Sequence, residues 1–119
     1  IAMQIFYNPR CGKCRNAKNF LEDQNISCDI FEYLSETFTE ETLDEIVRKS
    51  GLDVTDFIRK KEDLYKEKFA QKEYSHDEWL DILVENPSLL ERPIIITEDR
   101  AWIARSDEKL QEVLQQYND

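Results

Sequence analysis

Glycine and proline are scarce: the 119 residues include two glycines and three prolines. Flexible linkers and low-complexity tails need more of both, so a string of small modules is excluded. No internal repeat interrupts the chain. One domain over residues 1–119 is the expectation. A compact chain of this size buries roughly two-thirds of its unfolded surface, enough for a core without metal or disulfide staples. Positive charge is also short, with 16 Lys and Arg against 26 Asp and Glu and a net charge of −10. That deficit opposes nucleic acid, whose phosphates are met by clustered Lys and Arg, and it opposes anionic membrane surfaces. No apolar run is long enough to span a bilayer. The opening Ile1-Ala2-Met3-Gln4 lacks the basic and apolar regions of a signal peptide. Met3 is expected to be the native first residue. The expected location is the cytoplasm, where three cysteines do not make a disulfide framework.

The patterning predicts the elements in order. Met3 to Tyr7 is a short apolar strand closed by Asn8-Pro9. From Cys11 or Gly12 to about Gln24, Cys14, Ala17 and Leu21 recur on one helical face. Ser27 to Leu34 reads as a second strand. Thr39 caps a helix with Leu43, Ile46 and Val47 inward, ended by Gly51. Two short helices are expected around Thr55 to Arg59 and Glu62 to Phe69. Ser75-His76-Asp77-Glu78 is a capping box opening a helix that buries Trp79, Leu80, Leu83 and Val84. Ile94 to Thr97 and Arg100 to Ala104 form a hairpin across Glu98-Asp99. Ser106 caps a last helix with Leu110, Val113, Leu114 and Tyr117 inward. The order βαβ, helical block, ββα predicts an α/β fold with a four-stranded mixed sheet and helices on both faces.

The chemistry concentrates at Cys11-Gly12-Lys13-Cys14. A thiolate, not a thiol, is the nucleophile, and a helix N-terminus or a nearby cation lowers its pKa. Cys11 sits at the helix start, with Arg10, Lys13 and Arg15 beside it in sequence. Cys14, one turn on, is the sheltered candidate for resolving an intermediate as an internal disulfide. Two plainer readings stand beside this one: small packing residues, or half of a zinc site. Zinc needs four ligands, and only Cys28 and His76 remain, neither at ligand spacing. Cys28 reads as a buried strand residue, His76 as a solvated cap residue, Trp79 and Trp102 as core. Arg59, Arg92 and Arg105 come from three segments. They could cradle a tetrahedral oxyanion with guanidinium forks, or each could pair with a surface carboxylate.

Asn8-Pro9-Arg10-Cys11-Gly12-Lys13-Cys14-Arg15 resembles the active-site segment of the glutaredoxin-dependent arsenate reductases. Phe57-Ile58-Arg59-Lys60-Lys61 with Leu64-Tyr65 is similar to their middle motif. Leu90-Glu91-Arg92-Pro93-Ile94-Ile95 and Ala104-Arg105 are similar to their later ones. The resemblance covers essentially the whole chain. It implies a thioredoxin-like fold with a helical insertion at about 39–90, and a cis Pro93 facing the Cys11 loop. It implies that Cys11 attacks arsenate and that Arg59, Arg92 and Arg105, with Asn8, hold the oxyanion. Gly12, Arg15 and Pro93 would shape the site. No cofactor would be bound; glutathione with glutaredoxin, or thioredoxin, would supply electrons.

Two positions depart from that pattern. Tyr7 stands where the typical reductase has histidine, and Cys14 where it has serine. A Cys-x-x-Cys here also resembles the Spx-type regulators, which bind the RNA polymerase α subunit, but those generally lack the arginine matching Arg105 and have a longer basic C-terminal extension. Three functions follow: an arsenate-reductase-like enzyme, a general thiol–disulfide exchanger, and a non-enzymatic redox-sensing partner of the polymerase.

Overall fold

A computed structural model describes residues 3–118. Ile1 and Ala2, on which the expected start at Met3 turns, lie outside the described residues. The chain divides into two compact units, one made of Ile1–Glu36 with Arg92–Asp119, the other of Thr37–Glu91.

The first unit carries the sheet. Its elements are β1 (Met3–Phe6), α1 (Gly12–Asp23), β2 (Cys28–Phe31), β3 (Ile94–Ile96), β4 (Ala101–Ile103) and α4 (Asp107–Asn118). The strand order is β2-β1-β3-β4. β1 pairs parallel with β2 and antiparallel with β3, and β3 pairs antiparallel with β4. The expected four-stranded mixed sheet is therefore present. Met3, Ile5, Ile95 and Trp102 point to one face, where Ala17 and Leu21 of α1 and Leu110 and Val113 of α4 close over them. Leu21 is fully buried, which contributes roughly 1.5–3 kcal/mol. Both helices of this unit thus lie on the same face.

β2 is shorter than the stretch Ser27 to Leu34 suggested. It is an edge strand bonded only to β1. Its Asp29 and Ile30 are exposed, so the alternation that marks a half-buried strand is weak there. In α4, Leu114 is half-buried and Tyr117 is 41% exposed. Tyr117 sits in the last turn, where it lines a surface cleft with Trp102 and Gln116.

The second unit holds α2 (Glu40–Ser50) and α3 (His76–Glu85). Thr39 accepts from the Thr42 N–H at 3.1 Å and starts α2. Gly51 ends it at φ 72°, a left-handed conformation that costs a glycine nothing. Leu43, Ile46 and Val47 are buried as the periodicity required. The reciprocal capping box of Ser75 and Glu78 starts α3. His76 Nε2 lies 2.7 Å from Asp44 Oδ1, tying α3 to α2. Val84 is half-buried rather than buried. At 100° per residue it stands about 40° beyond Leu80, at the rim of the apolar stripe. Between the helices lie a 3₁₀ turn at Val54–Phe57 and a π-helical turn at Tyr65–Phe69. Around the latter, Tyr65, Phe69, Tyr74 and Trp79 pack ring against ring, Tyr74 and Trp79 with centroids 4.8 Å apart.

Candidate functional site

The loop between β1 and α1 is held from within. The Asn8 carbonyl accepts from the Cys11 N–H at 3.0 Å, and Asn8 Oδ1 accepts from the Arg10 N–H at 3.0 Å. Arg15 reaches back from the helix and donates through Nη1 to the Pro9 carbonyl at 2.9 Å. Cys11 is the N-cap residue, extended at φ −94°, ψ 120°, and its carbonyl accepts from the Arg15 N–H at 3.1 Å. Gly12 opens α1. A Cβ there would meet Arg15 Nη2 at 3.8 Å, an ordinary contact, so sterics alone do not demand glycine.

The two thiols of this turn are driven apart in acidity. Burial pushes Cys11 up, but that is outweighed by the N–H of Cys14, the Arg92 guanidinium, the Cys14 thiol and the N–H of Lys13. The net direction is down, towards the thiolate. Cys14 is fully buried, and burial first, then the neighbouring Cys11, pushes it up to about 12 despite a hydrogen bond to the Asn8 backbone. A slightly exposed sulfur that ionises more readily than an ordinary thiol thus sits one helical turn from a sheltered one that ionises far less readily. The largest influences that lower Cys11 are the helix start and a cation about eighty positions away, ahead of the side chains of Arg10, Lys13 and Arg15.

That cation arrives by way of the hairpin. The Arg92-Pro93 peptide bond is cis. Beyond the paired strands, the Ala104 N–H donates to the Pro93 carbonyl at 3.0 Å, and Arg105 Nη1 donates to the Arg92 carbonyl. Arg92 and Arg105 are thereby set side by side at one end of β3 and β4. Arg92 Nε and Nη1 are buried and have no acceptor. Cys11, Arg92 and Arg105 line an open cleft of about 750 Å³, together with Arg10, Lys13, Asn16 and the start of α4 at Ser106 and Asp107. Among the described residues, no group of three or more His, Cys, Asp or Glu side chains is placed to hold a metal ion.

The model of the ArsC family matches residues 6–113, a span that contains the thiol turn, the cis-proline and the three cleft arginines. The chain belongs to the ArsC family. It is similar to an arsenate reductase of Neisseria meningitidis serogroup A, 35% identical over 114 residues, which are 94% of this chain and 97% of that one. Among solved structures, an arsenate reductase from Vibrio cholerae superposes with a TM-score of 0.83 at 33% identity, over 97% of this chain and 98% of that one. A putative arsenate reductase from Yersinia pestis gives 0.84 at 32% identity, over 95% and 98%. The expected thioredoxin-like α/β fold is the one this ArsC chain shares with them.

Within this ArsC chain the structure brings Cys11, Cys14, Asn8, Gly12, Arg15, Arg92 and Pro93 into one turn-and-hairpin assembly, with Arg105 beside them. Arg59 belongs to the second unit. There its Nη2 pairs with Glu62 at 3.2 Å and its Nη1 donates to the Ser88 carbonyl at 3.2 Å. Tyr7 packs against the core on the α1 side of the sheet. Sequence reasoning missed Asn16, Ser106 and Asp107. Asn16 Nδ2 donates to Asp107 Oδ1 at 3.1 Å across 91 positions. No local signal joins them: Asn16 lies in the second turn of α1 and Asp107 in the first turn of α4, and only the fold brings the two helices together.

Proposed function

We propose that this ArsC-family protein is a thiol oxidoreductase that reduces arsenate, or an oxidised oxyanion of the same tetrahedral shape, at Cys11. The observation that carries the reading is Arg92: its guanidinium stabilises the Cys11 thiolate while Nε and Nη1 lie buried with nothing to donate to. An unmet buried donor costs about 1–3 kcal/mol, so an arriving oxyanion is held where the nucleophile already is.

In this reading the Cys11 thiolate attacks the central atom and one oxygen leaves as water after taking protons from solvent. Cys14, once deprotonated, attacks Cys11 Sγ. The S–S bond forms, the bond from Cys11 to the central atom breaks, and its electron pair reduces arsenic from the pentavalent to the trivalent state. Two thiols have become one disulfide. While Cys11 is a thiolate its charge opposes ionisation of Cys14; forming the adduct removes that opposition. Arg92 and Arg105 hold oxygens of the substrate, and Asn8 keeps the turn. Arg59 enters on the family resemblance alone. Glutathione with glutaredoxin, or thioredoxin, restores the dithiol, in the reducing conditions of the cytoplasm.

The test is arsenate reduction by purified protein with the two donor systems supplied separately. Turnover with one of them, lost in Cys11→Ser and depressed in Arg92→Ala, is expected. No turnover with either donor excludes arsenate as substrate. The proximity of Cys11 and Cys14 also suits general disulfide exchange, which needs no clamp. Activity on a model disulfide that is indifferent to Arg92→Ala would favour that second reading.

A further inference from the structure

The Arg92 guanidinium faces two demands. It stabilises the Cys11 thiolate, and in the reading above it also receives the oxyanion through Nε and Nη1, which are buried without an acceptor among the described residues. Arg92, Cys11 and Arg105 line one cleft, with Arg10 and Lys13 as further cations and Asp107 as its carboxylate. In the reduced protein an oxyanion therefore meets a negative sulfur beside the donors that would hold it. Two like charges repel there, and they compete for one guanidinium. Oxidation removes both obstacles. A disulfide between Cys11 and Cys14 carries no charge. Cys14 is fully buried and does not line the cleft, so forming the bond draws the Cys11 sulfur inward, away from Arg92.

We propose that the redox state of the thiol pair sets the affinity of the cleft: the disulfide form binds a tetrahedral oxyanion more tightly than the dithiol form, and an oxyanion that cannot be reduced holds the disulfide closed. This rests on the reading of Arg92 and Arg105 as an oxyanion site and of Cys11 and Cys14 as a redox pair. The second half follows from the first, because coupling between two equilibria is reciprocal. The redox step can be run without substrate, by exchange with the cyclic disulfide of oxidised dithiothreitol. The protein dithiol gives up two electrons and two hydrogens; one S–S bond forms in the protein and one breaks in the reagent. No atom of the oxyanion takes part. An unreactive oxyanion in excess thus acts as a brake on regeneration, at the residues that bind substrate.

Sulfate is the probe, being tetrahedral and not reduced by a thiolate. Its dissociation constant is measured by calorimetry on the dithiol and disulfide forms at pH 9, with ionic strength held constant by sodium chloride. Cys11 is lowered from its ordinary value of 9.0, so at that pH it is mostly thiolate. Couplings between sites amount to about five- to 150-fold, and an open cleft puts this one near the lower end. The disulfide form should bind sulfate about tenfold more tightly. In a dithiothreitol redox buffer, saturating sulfate should then lower the reduction potential by about 30 mV, the equivalent of tenfold for a two-electron couple. Cys11→Ala, with neither thiolate nor disulfide, should match the tighter form. Equal affinities in the two forms, a potential indifferent to sulfate, or Cys11→Ala binding as weakly as the dithiol form each overturn the proposal and leave the oxyanion site standing. Sulfate held by neither form nor by Cys11→Ala removes the site itself. A protein that forms no internal disulfide in the buffer removes the redox pair, and the coupling falls with either.

Discussion

Replacing Arg92 by Gln should make Cys11 a poorer nucleophile at neutral pH. The guanidinium lowers the Cys11 pKa by stabilising its thiolate. Hydrogen bonds to charged groups contribute about 1.5–3 kcal/mol. The sulfur is partly open to water through the cleft, which favours the lower end of that range. About 1.4 kcal/mol corresponds to a factor of ten in thiolate population. The alkylation rate of Cys11 by iodoacetamide should therefore fall by up to about tenfold at neutral pH and recover as the pH rises. Cys14 is fully buried and Cys28 is held up near 11, so neither should contribute at neutral pH. The sign is fixed: the native pKa is depressed, so removing its cause shifts the rate profile to higher pH without lowering its plateau. Lys13→Ala and Arg10→Ala are the informative controls, because sequence proximity alone would nominate them. An unchanged profile in Arg92→Gln, or an equal shift in the Lys13 and Arg10 variants, would refute the account of why Cys11 is reactive.

Cys28 gives a stability prediction at alkaline pH. Burial first, then Asp29 and Glu22, push its thiol from an ordinary value of 9.0 up to about 11. The unfolded chain ionises first, so folding stability should decline from about pH 9 towards pH 11, and Cys28→Ser should flatten that decline in urea titrations. A slope identical in both proteins would contradict the assignment. At Gly51 a Cβ would meet nothing within 4 Å, so Gly51→Ala should cost only the left-handed backbone penalty, about 1–2 kcal/mol, read as a lowered Tm.

Much of this molecule was legible because its signals are local. Cys14, Ala17 and Leu21 announce the buried face of α1, Ser75 and Glu78 announce the start of α3, and Gly51 the end of α2. Each depends on residues within one or two helical turns. What could not be read depends on pairing at a distance. The cation with the largest effect on Cys11 is Arg92, brought in by strand pairing, ahead of the three cations beside it in sequence. Asp107 is indistinguishable in sequence from any acidic residue in the first turn of a helix. The π-helical turn at Tyr65–Phe69 follows from no periodicity that separates it from an ordinary helix. Val84 and Tyr117 failed for a geometric reason: one lies at the rim of an apolar stripe, the other at a helix end.

The hairpin rungs described above run Ile96 to Ala101, Ile95 to Trp102 and Ile94 to Ile103. Pro93 with Ala104 and Arg92 with Arg105 extend the same register. The tight turn at Thr97 to Arg100 therefore acts as a calliper for the two guanidiniums at the opposite end. A slip of one residue would send Arg105 to the other face of the sheet. Exposed turns usually accept insertions freely. Here the number of residues in the turn is part of the specification of the anion site, although the turn lies at the far end of both strands.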